Sequence, residues 1–187
     1  MSFTPPLDIL QRYWGHSAFR LKQEEIVTSV INGNDTLALL PTGGGKSICF
    51  QVPALCLEGV CLVVSPLMAL MYDQVNNLKS RGISAAAITS AMHYREIDKT
   101  LDQCVHGQIK FLYVSPERLK NTLFKERFKR MKVAMIAVDE AHCISQWGYD
   151  FRPSYLEIAT IRELHPNVPV LALTASATHA VVSDIQA

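Results

Sequence analysis

Six short apolar runs, separated by longer segments of mixed composition, constrain the fold of this chain more than any other feature. The runs are DTLALL (35–40), VCLVVS (60–65), SAAAIT (84–89), KFLYVS (110–115), VAMIAVD (133–139) and VPVLALT (168–174). They are almost continuously apolar instead of alternating with polar residues. This pattern is typical of strands that are buried on both faces of a parallel sheet.

The segments between the runs show the periodicity of amphipathic helices. In LMALMYDQVNNLKSRG, one predicted helical face collects Leu67, Leu70, Met71, Val75 and Leu78. REIDKTLDQCVHG and SYLEIATIRELHP follow the same pattern, and SATHAVVSDIQA resembles a helix cut short, as in a fragment of a longer protein. Alternation of strands and helices through the chain predicts an α/β fold. We expect an open, mostly parallel sheet with helices on both faces and right-handed crossovers.

Size and charge narrow the possible classes of protein. With 187 residues, we expect residues 1–187 to form a single domain. Hydrophobic residues make up 49% and charged residues 19%, which suits a folded core and excludes a disordered chain. The formal net charge is only +1, so any nucleic-acid surface must be local.

The cysteines and the chain start predict the compartment. Five cysteines are present, and none forms a C-x-x-C pair, which argues against a disulfide framework and a zinc site and favours buried, reduced thiols. There is no signal-peptide pattern at the N-terminus, and no apolar run approaches the roughly 18 residues that span a bilayer. We therefore expect a soluble, cytoplasmic protein without a membrane partner.

A glycine-rich segment, LLPTGGGKSICFQ (39–51), follows the first predicted strand and precedes an apolar helix. Glycines let the backbone N–H groups approach phosphate oxygens closely, and the helix N-terminus adds a favourable dipole. Lys46 would reach the β and γ phosphates, and the Ser47 hydroxyl would bind Mg²⁺. The predicted phosphate-binding residues are Thr42, Gly43, Gly44, Gly45, Lys46 and Ser47. The alternative is a glycine-rich turn with an unrelated lysine, since the consensus glycine is replaced by Leu40.

Two carboxylates, Asp139 and Glu140, end the fifth apolar run. In an open α/β sheet, ligands bind beyond the carboxyl ends of the strands. Asp139 would then hold Mg²⁺ near the glycine-rich loop, and Glu140 would orient and deprotonate an attacking water. Alternatively, the pair only caps the next helix.

The segment WGHSAFRLKQEEI (14–26) precedes the first strand. The amide of Gln23 has donors and acceptors that suit an adenine edge, and Arg20 or His16 would flank the base or the phosphates. The alternative is an amphipathic helix with Phe19 packed against the core.

Several segments together resemble a known family. FRLKQEEI, LPTGGGKSICFQVPAL, VVSPLMALMYDQV, YVSPERL, DEAHCISQWGYDFRPSY and LALTASAT occur in this order. They look like the N-terminal RecA-like motor domain, the first lobe, of a RecQ-family DNA helicase in superfamily 2. The resemblance covers roughly residues 8 to 185. DEAH marks a broad class of helicases, whereas CISQWGYDFRPSY is specific to RecQ.

The resemblance implies a role for each matching residue. Gln23 and Arg20 match the adenine motif, and the family also lacks a glycine at the position of Leu40. Lys46 and Ser47 match the nucleotide motif. Asp139 matches the metal position, Glu140 the catalytic base, and His142 the residue that couples hydrolysis to DNA; these assignments are expectations.

The resemblance also assigns a loop that senses single-stranded DNA and triggers hydrolysis. Its matching residues are Trp147, Tyr149, Phe151 and Arg152, with Tyr149 where many members have histidine. Aromatic faces stack on bases with about 1–3 kcal/mol each, and arginine pairs with phosphate. The alternative is a hydrophobic corner around Trp147. Ser65 and Ser115 match segments that contact the DNA backbone, and ordinary helix capping is the alternative for both.

The implied protein is an ATP-dependent DNA helicase that translocates 3′ to 5′, uses ATP and Mg²⁺, and binds single-stranded DNA and duplex junctions. A second RecA-like lobe would supply an arginine finger. We therefore expect these 187 residues alone to bind nucleotide weakly and not to unwind DNA. The alternatives are a non-catalytic, nucleotide-dependent DNA-binding module and an RNA helicase of the DEAH-like group.

Overall fold

The computed structural model describes residues 3–41, 45–145, 151–175 and 179–187. Within these ranges, six strands form one sheet: β1 (Thr36–Leu39), β2 (Val60–Val64), β3 (Ala85–Ile88), β4 (Phe111–Val114), β5 (Val133–Val138) and β6 (Val170–Thr174). The strand order is β1-β6-β5-β2-β4-β3, and every pairing is parallel. All six apolar runs therefore form the strands that the sequence predicts.

The same ranges contain eight α-helices and three short 3₁₀ helices. The α-helices are α1 (Pro6–Trp14), α2 (Gln23–Ile31), α3 (Lys46–Cys56), α4 (Met68–Ser80), α5 (Tyr94–Val105), α6 (Thr122–Arg130), α7 (Glu157–Arg162) and α8 (His179–Gln186). The 3₁₀ helices span Pro116–Lys120, Ala141–Ile144 and Pro153–Leu156. The last of these occupies the start of the helix predicted over SYLEIATIRELHP, so only its middle is α-helical.

The sheet is covered on both faces, because successive strand residues point to opposite sides. Leu62 belongs to a buried cluster that includes residues of α5, α6 and α7. Its neighbour Val63 belongs to a second cluster that includes residues of α2, α3 and α4. Both strand residues are about 1% exposed. This confirms the α/β prediction of a parallel sheet with helices on both faces.

The predicted apolar face of α4 is only partly correct. Met71, Val75 and Leu78 are buried, but Leu67 and Leu70 are 47% and 41% exposed. Leu67 is the extended residue before the helix, at φ −113° and ψ 108°. Leu70 lies about 100° around the helix axis from Met71, which takes it off the buried face.

The segment before β1 is a helix in its C-terminal part alone. α2 begins at Gln23, so the alternative of one amphipathic helix through 14–26 is wrong for residues 15–22. Phe19 is half-buried and packs against a small cluster that contains Leu10 of α1 and Val52 of α3. The packed phenylalanine of that alternative is therefore correct.

All five cysteines lie in the described part of the chain and none forms a disulfide. Cys49, Cys61, Cys104 and Cys143 are buried, and Cys56 is half-buried. Burial raises the pKa of Cys49 and Cys104 to about 12 and that of Cys56 to about 11. Among the described residues, no helix has the length and apolarity to cross a membrane.

Candidate active site

The predicted site residues converge because all strands run parallel, which places their carboxyl ends at one edge of the sheet. β1 leads into the loop before Lys46, and β5 ends directly before Asp139. The Asp139 N–H donates to Val64 O at 2.9 Å, which continues the pairing of β5 with β2 beyond the last strand residue. The backbone at the start of the acidic pair is therefore fixed by the sheet.

Lys46 connects the two halves of the site. Its Nζ lies 3.6 Å from Glu140 Oε1 and 4.0 Å from Asp139 Oδ1. Burial raises the pKa of the Asp139 carboxyl, while the Lys46 ammonium lowers it. The balance leaves the Asp139 pKa above its ordinary value, because desolvation is the larger effect. Perturbed carboxyls of this kind are common at functional sites.

Gly45 ends the glycine-rich loop with a backbone that only glycine adopts easily. Its φ is +72°, and a Cβ at this position would lie 2.2 Å from Gln23 Nε2. Gln23 Nε2 instead donates to Gly45 O at 3.1 Å. The Gln23 side chain therefore occupies the space that a side chain at position 45 would need, at the N-terminus of α3.

The Gln23 side chain is buried, 4% exposed, and is held at both ends of its amide. Besides the bond to Gly45, its Oε1 accepts from the Arg20 N–H at 2.8 Å. An amide offers two donors and two acceptor positions, so these contacts use one of each. The Arg20 and His16 side chains are exposed beside it. Ser47 is half-buried in the first turn of α3, next to Lys46.

The turn after β5 has an unusual conformation. Glu140 has φ +52° and ψ 46°, in the left-handed region that non-glycine residues rarely adopt. Its N–H donates to Asp139 Oδ1 at 2.9 Å, and its carbonyl accepts from the Cys143 N–H at 3.0 Å. Glu140 makes no side-chain cap to the 3₁₀ helix Ala141–Ile144. The geometry therefore does not support the alternative in which the acidic pair only caps a helix.

His142 is buried between the end of β6 and the turn formed by Asp139 and Glu140, which we call the acidic turn. Its Nδ1 lies 2.9 Å from Thr174 Oγ1 and 3.5 Å from Glu140 Oε2. Its side chain is only 3% exposed. The contact links the last residue of β6 to the carboxylate that also pairs with Lys46.

Tyr155 is a site residue that sequence reasoning missed. It is fully buried, and its hydroxyl donates to Asp139 O at 2.9 Å. Burial raises the Tyr155 pKa well above its ordinary value, so the hydroxyl remains a donor throughout the neutral range. The signal was available: the stretch FRPSY ends in a large aromatic with a polar tip, which needs a hydrogen-bond partner when buried.

Some of the remaining predicted site residues lie in the part of the chain that the structure describes, and others do not. Phe151 and Arg152 are half-buried, and the Arg152 N–H donates to Cys143 O at 2.8 Å. Thr42, Gly43, Gly44, Trp147 and Tyr149 lie outside the described residues. Ser65 and Ser115, which follow β2 and β4, do not cap a helix with their side chains. The N-cap of α4 is Leu67, and Ser115 makes no side-chain bond to the 3₁₀ helix that follows it.

The donor set at this edge fits a hard divalent cation. Asp139, Glu140 and Ser47 offer oxygens, the donor type that Mg²⁺ prefers. Within the described ranges, no cluster of three or more histidine, cysteine or acidic residues could hold a metal by itself.

Comparisons with known proteins bear on the family of this chain. Residues 20–185 match the model of the DEAD/DEAH box helicase family. The chain is 45% identical over 179 residues to ATP-dependent DNA helicase RecQ of Pasteurella multocida, covering 96% of this chain and 28% of that protein. It is also 45% identical to a protein of Acanthamoeba polyphaga mimivirus, provisionally named an ATP-dependent RNA helicase, over 95% of this chain and 32% of that one.

A solved structure shares the fold at low sequence identity. Helicase Lhr of Mycobacterium smegmatis, bound to ssDNA and AMP-PNP, matches with a TM-score of 0.74 and 18% identity, over 97% of this chain and 26% of that one. This likeness supports the RecA-like α/β fold. The chain spans less than a third of the length of the curated relatives described above.

Proposed function

Because this chain belongs to the DEAD/DEAH box helicase family, we propose that it is the nucleotide-binding lobe of an ATP-dependent DNA helicase of the RecQ type. The whole protein would hydrolyse ATP with Mg²⁺ and translocate 3′ to 5′ on DNA. The contact of Lys46 with both Asp139 and Glu140 carries this proposal. It brings together a cation at the start of the helix after β1 and the two carboxylates after β5, the groups that phosphoryl transfer uses at the phosphates, the metal and the attacking water.

The proposed chemistry assigns one task to each group. The loop residues 42–45 and the N-terminus of α3 would bind phosphate oxygens through backbone N–H groups, and Lys46 would contact the β and γ phosphates. Asp139 and Ser47 would hold Mg²⁺, which neutralises charge on the phosphates when bound. Glu140 would orient and deprotonate the attacking water.

The base of the nucleotide would lie at Gln23 and Arg20. The Gln23 amide keeps a donor and an acceptor beyond its bonds to Gly45 and Arg20, and these suit an adenine edge. Since the same amide touches the phosphate loop, base binding and loop geometry would be linked. The exposed Arg20 side chain would approach the base or the phosphates.

DNA would act on hydrolysis through the turn after β5. His142 contacts Glu140 directly, and the Arg152 backbone is bonded to Cys143. Trp147, Tyr149 and Phe151 would stack on bases of single-stranded DNA, and Arg152 would pair with its phosphates. Strand separation would then occur at junctions of single-stranded and duplex DNA.

A second RecA-like lobe is expected in the remainder of the protein, since the relatives are more than three times as long as this chain. We propose that this second lobe supplies an arginine finger, so that residues 1–187 alone bind nucleotide weakly and do not unwind DNA. The single-domain organisation and the cytoplasmic location remain predictions.

RNA is the second candidate substrate, because one relative is provisionally named an RNA helicase. The experiment that decides is an ATPase assay on a protein of the relatives' length that contains this chain. We expect single-stranded DNA to stimulate hydrolysis at least about tenfold more than RNA of the same sequence. Stronger stimulation by RNA would favour the second candidate. Nucleotide binding without stimulated hydrolysis would favour a non-catalytic module.

A further inference from the structure

The peptide bond between Asp139 and Glu140 is hydrogen-bonded on both sides. Its N–H donates to the Asp139 carboxylate at 2.9 Å, and its carbonyl oxygen accepts from the Tyr155 hydroxyl at 2.9 Å. Both bonds lie in a part-buried region, where water competes poorly for either group. The orientation of this one peptide plane is therefore fixed by two separate side chains.

Glu140, the residue that follows this peptide bond, has a strained backbone conformation. Glu140 has φ +52°, in the left-handed region that is unfavourable for a non-glycine residue. Such strain persists only where surrounding contacts over-determine it. Rotation of the peptide plane toward an ordinary conformation would carry the Glu140 carboxylate away from Lys46 Nζ, which it now approaches to 3.6 Å.

Tyr155 is well placed to resist that rotation. Its ring is fully buried in the cluster that includes Ile158 and Ile161 of α7. A buried aromatic side chain has few alternative rotamers, so its hydroxyl is a rigid donor. Tyr155 also belongs to the 3₁₀ helix that begins directly after Arg152, whose N–H is bonded to Cys143 O.

We propose that Tyr155 is a positioning residue for hydrolysis: its hydroxyl holds the Asp139–Glu140 peptide plane so that the Glu140 carboxylate stays at Lys46. This inference rests on the proposed function, because it assigns Tyr155 a part in placing the proposed base. It also gives the segment 151–155 a contact with Asp139, in addition to the backbone bond from Arg152 to Cys143 in the 3₁₀ helix Ala141–Ile144.

The test compares two fully buried tyrosines in the protein of the relatives' length. Tyr155→Phe removes the hydroxyl and keeps the ring. Tyr113→Phe is the matched control, because its hydroxyl bonds Gln51 and Gln74 and not the acidic turn. We expect kcat to fall about tenfold in Tyr155→Phe, with nucleotide affinity within about twofold of wild type, since small misplacements of a catalytic group are costly. Tyr113→Phe is expected to keep its kcat.

A second measurement does not depend on turnover. Amide hydrogen exchange at Glu140, measured in this 187-residue chain, should accelerate about fivefold in Tyr155→Phe and remain unchanged in Tyr113→Phe, as loss of one hydrogen bond predicts. Replacement of Tyr155 by 4-aminophenylalanine, which keeps a donor at the same place, should restore kcat. Restoration would distinguish positioning from a general packing role.

The outcomes separate this inference from the proposed function. Wild-type kcat and unchanged Glu140 exchange in Tyr155→Phe, in a protein whose hydrolysis still requires Glu140, would overturn the role of Tyr155 alone. Absence of nucleotide hydrolysis in the wild-type protein, or hydrolysis that does not need Glu140, would instead overturn the proposed function. Equal loss of kcat in both phenylalanine variants would reduce Tyr155 to a packing residue.

Discussion

Lys46 Nζ lies 3.6 Å from Glu140 Oε1, so the helix after β1 and the turn after β5 meet through a single ion pair. The two residues are far apart in the chain, and the parallel sheet brings them together. Both side chains are partly exposed, which keeps them accessible to a ligand. The pair itself adds little stability, because ion pairs with solvent access contribute at most about 1 kcal/mol.

Lys46→Ala should weaken nucleotide binding about tenfold or more, since a charged hydrogen bond to phosphate is lost. Titration of this chain with a fluorescent ATP analogue measures the affinity. Lys99→Ala is the control, because Lys99 is an exposed lysine on α5, away from the acidic turn. Equal affinity in the two variants would remove Lys46 from the site.

Glu140→Gln should retain nucleotide binding and lose turnover by about 100-fold or more, because glutamine keeps the size of glutamate but cannot accept a proton. The assay is DNA-stimulated ATPase in the protein of the relatives' length. Glu126→Gln, an exposed position on α6, is the matched control. Normal turnover in Glu140→Gln would exclude Glu140 as the base.

Gly45→Ala should be both less stable and weaker in nucleotide binding. The new Cβ would meet Gln23 Nε2 at 2.2 Å in addition to the strain at φ +72°. Gly15→Ala isolates the strain, because Gly15 has the same φ of +72° with nothing within 4 Å of its Cβ. Thermal unfolding should show a larger loss for Gly45→Ala, and a smaller loss than in Gly15→Ala would contradict the fit of Gln23 to the loop.

Asp139→Asn should stabilise the metal-free fold at neutral pH. Burial raises the Asp139 pKa, so between its ordinary and its raised pKa the folded state binds more protons than the unfolded state. Wild-type stability therefore falls as pH rises through this window, and the penalty is complete above it. The Tm difference between Asp139→Asn and wild type should grow as the pH rises above the ordinary Asp pKa of about 4 and should level off above the raised pKa. A variant less stable than wild type at neutral pH would show that the attraction of Lys46 outweighs burial.

Thr174→Val should lower DNA-stimulated hydrolysis about fivefold with little change in nucleotide affinity. The change removes the hydroxyl that lies 2.9 Å from His142 Nδ1 and so loosens the ring beside Glu140. Thr89→Val is the control, because this buried hydroxyl bonds Tyr72 instead. If both valine variants respond alike to DNA, the His142 contact has no part in coupling.

Most of the fold could be predicted from the sequence. Near-continuous apolar runs predicted a strand at all six positions, and each run forms one, although the edge strands β1 and β3 are only partly buried. The first and last residues of the helices were harder to predict from the sequence than the strands. The exposed Leu67 lies before the first residue of α4, and a helical pattern can be extended past its true start without losing its period.

The site could be predicted where residues of the required chemistry come soon after a predicted strand. Lys46, Asp139 and Glu140 each follow a strand, so a parallel sheet suffices to bring them together. The bond between Gln23 and Gly45 was not predictable, because it depends on a side chain reaching across two elements. The sequence could suggest that Tyr155 needs a hydrogen-bond partner when buried, but that partner is a backbone carbonyl, which no residue pattern identifies.

The burial of the native thiols affects how this chain can be labelled with a fluorescent dye. At neutral pH, thiols whose pKa is raised to about 11 or 12 are almost entirely protonated, and the protonated form reacts slowly with maleimides. A cysteine introduced at an exposed position, such as Ser80→Cys at the end of α4, would therefore take up a dye far faster than the native thiols. Changes near the end of α4 on nucleotide binding can then be followed by fluorescence in this chain, with all five of its cysteines in place.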